Sequence, residues 1–315
     1  MAQKEEQKDL GFGLRSEGRL NRALNKDGSF NVKRTGQTFF DSFELYHWLI
    51  SISWKHFILV VLLWYTIVNL IFAALYAVVG VEGLTGIDNT TRMSKMFDAF
   101  FFSSQTLTTL GYGRIAPVGM GASIVAAVES MFGVLSFSLA TGLLYGRFSR
   151  PQSKIAYSTH AVVAPYRSIT GFMFRVVNLK KSQLIEAQVE ISISMQKPDG
   201  KSRIFESLAL ERDRIQFFPL SWTIVHPIDE SSPLFGMTED TFKKSDAEFI
   251  IMIKAFDESF SQTVYSRSSY DFAEVIWGAK FISMMSTDKD GNRLLQMDKL
   301  DSMEKAELPV LLTAQ

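Results

Sequence analysis

TTLGYG, residues 108–113, stands between two apolar runs at 57–79 and 119–148, each long enough to cross a bilayer. An ion stripped of its water needs a replacement shell of oxygens at fixed spacing. Backbone carbonyls supply one when four identical strands aim theirs at a common axis. Glycine at alternate positions lets successive residues adopt the required angles at little steric cost. Gly111 and Gly113 suit that role, Thr109 would add a hydroxyl oxygen at the inner end, and Tyr112 can point away from the axis and brace the strand against surrounding helices. Leu110 lies between them with an apolar side chain that can point outward. Gly-Tyr-Gly alone also fits an ordinary surface turn, so the tripeptide decides nothing without its flanks. An amphipathic aromatic stretch at 96–107 precedes it, which is the order of a pore helix feeding a filter.

Composition narrows the classes. The 315 residues carry 33 Lys plus Arg and 33 Asp plus Glu, so no overall basic field points to nucleic acid. Hydrophobic residues make up 47%, and the excess is concentrated before residue 149. There is no cysteine, which excludes disulfides and cysteine-ligated metals, and the four histidines at 47, 56, 160 and 226 lack ligand spacing. Residues 1–38 are polar and charged with little periodicity; they read as a flexible cytoplasmic arm, with no secretory signal.

Residues 39–56 mix aromatics with acids and a histidine, as suits a helix lying in the headgroup layer, where Trp48 and Trp54 bury a ring and keep a polar edge wet. The segment 57–79 has no charged residue and reads as an outer membrane helix. The second span, 119–148, is interrupted by serines, a threonine and glycines, the small residues of packed or water-lining membrane helices. Ser130, Gly133, Phe137, Thr141 and Tyr145 fall on one stripe at helical spacing. That stripe is expected to line the inner pore, with Gly133 permitting a bend and Tyr145 narrowing the cytoplasmic end; packing against the first helix is the alternative. Glu129 is the lone acid of the span and is expected to be paired or to face protein or water.

Beyond Lys154 the composition becomes that of a β domain. Apolar residues at 185, 187, 189, 191, 193 and 195 alternate with polar ones, and further strand-like runs at 203–210, 220–226, 248–256, 262–266 and 274–277 have the spacing of a sandwich. Lys-Pro-Asp-Gly at 197–200 predicts a turn. Asp-Lys-Asp-Gly-Asn at 288–292 invites a calcium loop but fails on spacing, and a hairpin turn is the better expectation.

Together these segments resemble the inward-rectifier potassium channels, particularly their prokaryotic branch, over residues 41–308. The matching stretches are YHWLISISW at 46–54, TTLGYG at 108–113, ATGLLYGRFSRP at 140–151, VVNLKKSQLIEAQV at 176–189 and IVHPIDESSPLFG at 224–236. The resemblance implies a homotetramer in the bacterial inner membrane with both termini cytoplasmic. The implied parts are an interfacial slide helix (39–56), a two-helix pore domain with a re-entrant loop (57–148), a linker (149–156) and a cytoplasmic immunoglobulin-like β-sandwich (157–315). It implies potassium ions held by the carbonyls of Thr109, Leu110, Gly111 and Tyr112 within the filter 108–113 that begins at Thr108, and no organic cofactor. It places Gly133 at a hinge and Tyr145 at the inner gate. Lys55, Arg147, Arg150 and Lys154 become candidates for anionic lipid headgroups, while Glu186, Lys254, Phe256 and Glu258 line a cytoplasmic pore whose apex is 256–263.

Several departures from the family pattern carry expectations of their own. Gln105 replaces a pore-helix glutamate and Arg114 follows the filter where aspartate is common, so the usual bracing pair is expected to be absent. A ring of Arg114 side chains would repel incoming cations and lower conductance. Phe137 and Lys254 stand where acids are expected in strong rectifiers, which predicts weak block by internal spermine. The competing reading is a membrane-anchored ligand sensor with a vestigial pore. An enzyme is not expected: His226, Asp229, Ser231 and Ser232 lie close in sequence but form no nucleophile elbow and read as satisfied loop groups.

Overall fold

The computed structural model describes residues 22–31, 44–80, 83–88, 91–149, 154–180, 183–197, 202–218 and 221–309. They form two compact units, one within 36–150 and one joining the N-terminal segment to the chain beyond 151.

The first unit begins with α1, Leu45–Ser51, which ends at Ile52 in extended backbone. The outer helix α2, Trp54–Val79, starts at once. The interfacial helix expected over 39–56 is therefore shorter: residues 39–43 lie outside the described residues, and Trp54, Lys55 and His56 belong to the first turn of α2. Ser53, in extended backbone, interrupts the helical ladder between the two. At about 1.5 Å per residue, the 26 residues of α2 exceed the roughly 30 Å of a hydrocarbon core.

The pore helix α3, Arg92–Leu107, begins earlier than the aromatic stretch suggests because Thr91 caps it, its hydroxyl accepting the Ser94 N–H at 3.1 Å. The inner helix α4 spans Met120–Phe148. Two short strands, β1 (Leu84–Thr85) and β2 (Ala116–Pro117), pair antiparallel and tie the segment before the pore helix to the segment after the filter. The buried core joins α2 and α3 through Val68, Phe72, Tyr76, Ala99, Phe102 and Leu107, and Val125 and Ala126 of α4 pack against it. Most other apolar side chains of α2 and α4 are exposed in the single chain, as expected of surfaces that meet lipid or neighbouring subunits.

In the second unit, strands β3 (Ile155–Tyr157), β4 (Ala161–Tyr166) and β5 (Ile169–Asn178) lead into β6 (Leu184–Gln196), β7 (Arg203–Ser207), β8 (Arg214–Phe218) and β9 (Ser221–Ile228). A short helix α5 (Glu239–Lys244) precedes β10 (Glu248–Asp257), β11 (Gln262–Asp271) and β12 (Val275–Trp277). One sheet runs β11-β10-β6-β7 with β8 also on β6, and the other runs β12-β4-β5-β3 with β9 on β5. Inward side chains of both sheets share one core, in which Phe172 stacks on Phe249 at a ring-centroid distance of 4.0 Å. This is the β-sandwich. Residues 288–292 close a hairpin, the Asp288 carboxylate accepting the Asp290 and Asn292 N–H groups at 2.9 and 2.7 Å. The turn at 198–200 lies outside the described residues.

The N-terminal arm corrects the expectation of uniform flexibility. Residues 22–31 form a small turn docked on the sandwich. Leu24 is 1% exposed, and the buried Glu248 carboxylate accepts the Ala23 and Leu24 N–H groups at 2.9–3.1 Å. Arg22 and Lys26 both reach Glu274, at 2.9 and 3.2 Å. Gly28 sits at φ +82° with the Arg267 carbonyl 2.7 Å from where a Cβ would be, so the turn approaches β11 as only glycine allows. These charged residues are too sparse to produce a periodic pattern, which is why the segment reads as a loose arm.

Candidate functional site

The filter strand emerges from the C-terminus of α3. The Gln105 carbonyl accepts the N–H of Leu110 at 2.8 Å and of Gly111 at 3.3 Å, so the pore helix ends by holding the filter it feeds. Along the strand, Thr109, Gly111 and Gly113 have φ of 59°, 57° and 79°, whereas Leu110 and Tyr112 do not enter the left-handed region. Positive and negative φ thus alternate along the strand, a pattern that suits carbonyls aimed toward one side instead of the opposite sides of a regular strand. Thr109 takes the left-handed conformation without being glycine, at a cost of about 1–2 kcal/mol that its surroundings must offset. Tyr112 is 74% exposed and Leu110 55%. In the single chain Tyr112 is thus left largely uncovered.

Arg114 is not an unpaired cation. Its guanidinium meets the Asp98 carboxylate at 2.6 Å, and the other Asp98 oxygen accepts the Asp88 N–H at 2.6 Å. Asp98, on the first half of the pore helix and 8% exposed, joins the outer segment, the helix and the end of the filter. A bracing pair therefore exists, two turns earlier on the helix than Gln105, and the acid half of it gave no motif signal. The Arg114 side chain remains 69% exposed, so the pair fixes geometry more than it adds stability. It also offsets the positive charge expected at the mouth.

The inner-helix stripe divides. Phe137 and Tyr145 are 77% and 74% exposed, and Thr141 is exposed with its hydroxyl returned to the Phe137 carbonyl at 2.9 Å. These three share an exposed face of the helix. Ser130 is half-buried and Gly133 is buried. A Cβ on Gly133 would lie 2.0 Å from the Leu107 carbonyl oxygen. Gly133 thus belongs to the face that packs on the pore helix, together with Ala122 and Glu129, and not to the open stripe. The spacing of 133 from 137 is the same for both faces, which is why periodicity merged them.

Of the basic candidates, Arg147 is committed inside the protein. It donates to the carbonyls of Leu49 at 2.5 Å and Ile52 at 2.7 Å, and its guanidinium lies 4.6 Å from the Trp54 ring and 4.5 Å from the Phe57 ring. It caps the C-terminal end of α1 and ties α1 to α4. The resemblance implies a lipid headgroup for Arg147; its guanidinium is engaged by these carbonyls and rings instead. Lys55 and Lys154 are exposed, and Arg150 lies outside the described residues.

In the sandwich, Glu186, Lys254 and Glu258 are exposed and Phe256 is half-buried. Glu186 sits at φ 50°, where the pairing of β6 with β10 shifts register between Lys254 and Phe256. A bulge there re-aims the side chains around it, between two interior strands. His226 is 2% exposed; it contacts the Ala209 carbonyl at 2.5 Å and the Ser232 hydroxyl at 2.7 Å. Burial holds its pKa below the ordinary value, against the smaller opposing effects of Ala209 and Asp229. A neutral imidazole donating to Ala209 and accepting from Ser232 satisfies every group, so this constellation is structural.

Comparison with known proteins agrees with the geometry. Residues 155–315 match the family model described as the inward rectifier potassium channel C-terminal domain, and residues 57–150 match the ion channel model. The chain belongs to the inward rectifier potassium channel family, in its prokaryotic branch. It is similar to the inward rectifier potassium channel Kirbac3.1 of Paramagnetospirillum magnetotacticum, at 34% identity over 91% of this chain and 97% of that one. The mouse G protein-activated inward rectifier potassium channel 2 is 25% identical over 88% of this chain and 70% of its own. The mouse ATP-sensitive inward rectifier potassium channel 12 is 26% identical over 86% and 69%. Membership makes this inward rectifier relative an integral membrane channel protein and not an enzyme, with its two apolar helices as spans and potassium as the permeant ion.

Proposed function

We propose that four copies of the chain form a potassium-selective pore in the bacterial inner membrane, with both termini in the cytoplasm. Potassium is coordinated by the carbonyls of Thr109, Leu110, Gly111 and Tyr112. The observation that carries this reading is the alternating left-handed backbone at Thr109, Gly111 and Gly113. A vestigial pore would have no need of three such residues, one of them a strained threonine, and this weighs against the sensor reading. Phe137, Thr141 and Tyr145 face the conduction path, with Tyr145 as the narrowing. The sandwich and its docked N-terminal turn act on that narrowing, and Lys55 and Lys154 with Arg150 meet anionic lipid. Support for a multimer comes from the exposed apolar faces of α2 and α4, and from Tyr112, which awaits a neighbour to pack against.

The test is rubidium uptake into liposomes that hold the purified protein, with sodium and barium comparisons. Rubidium uptake that sodium cannot replace and that barium blocks is the expected result. Absence of selective uptake from correctly assembled protein would return the sensor reading.

A further inference from the structure

Behind the pore helix lies a polar cluster, buried among apolar side chains, that the conduction path does not use. Glu129 of α4, Ser103 of α3 and Asn69 of α2 are each 0% exposed, and Tyr76 of α2 is 1% exposed. The Tyr76 hydroxyl donates to Glu129 Oε2 at 2.6 Å. The Ser103 oxygen contacts Glu129 Oε1 and, at 3.0 Å, Asn69 Oδ1. Asn69 uses its Nδ2 to reach the Tyr65 carbonyl at 2.7 Å, which fixes its amide with Oδ1 toward Ser103.

Ser103 has one hydroxyl hydrogen and two neighbours that, as drawn, both accept. If it donates to Asn69, a bare Glu129 carboxylate would face its lone pairs; if it donates to the carboxylate, the Asn69 oxygen faces them instead, so an ionised Glu129 leaves one buried acceptor unpaired either way. The accounting closes when the carboxyl carries its proton: Glu129 donates to Ser103, Ser103 donates to Asn69, and Tyr76 donates to the other Glu129 oxygen. A neutral acid also avoids an uncompensated charge among membrane helices. The same face of α4 carries Gly133 against the Leu107 carbonyl one turn on, so the network sets how α3 lies against α4.

We propose that Glu129, as a protonated carboxylic acid, is the positioning residue that orients the pore helix for ion discrimination, in a protein whose pore helix carries Gln105 in place of an acid. This rests on the potassium-channel reading above. It is tested in the full-length protein by two measurements. In the infrared difference spectrum of wild type minus Glu129→Gln, the carbonyl stretch of a protonated carboxyl group is expected; its absence overturns the proposal whether or not the protein conducts. In liposomes, Glu129→Ala and the milder Tyr76→Phe are expected to lower the rubidium-to-sodium uptake ratio by about fivefold or more, the equivalent of one net hydrogen bond. Glu129→Gln, which can donate to Ser103 and accept from Tyr76, is expected to restore the ratio. Unchanged discrimination in both Glu129→Ala and Tyr76→Phe, or a loss in Glu129→Gln equal to that in Glu129→Ala, would overturn it, as would lowered thermal stability with the ratio intact. A wild type without selective uptake fails the channel reading instead, and the infrared band still decides the state of Glu129.

Discussion

At the scale of single residues, two glycines with different duties are separable by experiment. Gly111 has φ 57° and nothing within 4 Å of a built Cβ, so its requirement is one of backbone conformation and not of space. Gly111→Ala should strain the filter by about 1–2 kcal/mol and turn a carbonyl away from its neighbours, leaving an assembled protein without potassium-over-sodium selectivity in flux. Gly133 is the reverse case, with helical backbone and no space. Gly133→Ala must separate α4 from the Leu107 carbonyl, and overpacking of this kind costs about 1–3 kcal/mol. Reduced thermal stability and poorer assembly are expected, measured by melting and size-exclusion chromatography; an intact protein altered only in open probability would reinstate the hinge. The positive φ of Gly111 and Gly113 was legible because glycine at alternate places is what a one-sided run of carbonyls would demand. The closeness of Gly133 to the Leu107 carbonyl is not legible in the sequence, because helical spacing names a face but not what lies against it.

Among elements, the junction of α1 with α4 depends on Arg147. Arg147→Ala removes two charge-assisted bonds to the Leu49 and Ile52 carbonyls and the stacking on Trp54 and Phe57. Gating and stability should change with dependence on anionic lipid fraction unaltered, whereas neutralising Lys55 and Lys154 together should weaken that dependence. Flux against lipid composition separates the two. The docked N-terminal turn has a pH signature. Burial alone would raise the Glu274 pKa, but hydrogen bonds from Arg22, the Asp271 N–H and Lys26 outweigh it and hold the group below its ordinary value of 4.5. The ionised form is therefore favoured when docked. That contribution is complete above about pH 4.5 and is lost as pH falls toward the depressed folded value. The protection of the amides of residues 22–31, read as exchange relative to the intrinsic rate at each pH, should fall on acidification through this range, and less steeply in Glu274→Gln. Neither contact is visible in one dimension, since Arg147 and Glu274 look like any charge near a helix end or strand.

For the molecule as a whole, conduction and block depend on what the assembled pore presents. The inner face offers Phe137 and the sandwich offers Lys254 where acids would hold polyamines, so internal spermine at low micromolar concentration should block weakly and with little voltage dependence in bilayers; strong block would require acids elsewhere on the path. The sequence by itself determined the family, the two spans, the β-sandwich and the glycines at positive φ in residues 108–113, because each follows from a local pattern: apolar length, alternation of period two, and glycines where the backbone turns left-handed. Only the tertiary structure decided that Arg114 is paired with Asp98, that Arg147 caps a helix, that residues 22–31 are docked and that Glu129 is shared among three helices. Those facts depend on groups far apart in the chain coming within hydrogen-bond distance, and a polar side chain carries no mark of its partner until folding excludes the water that would otherwise satisfy it.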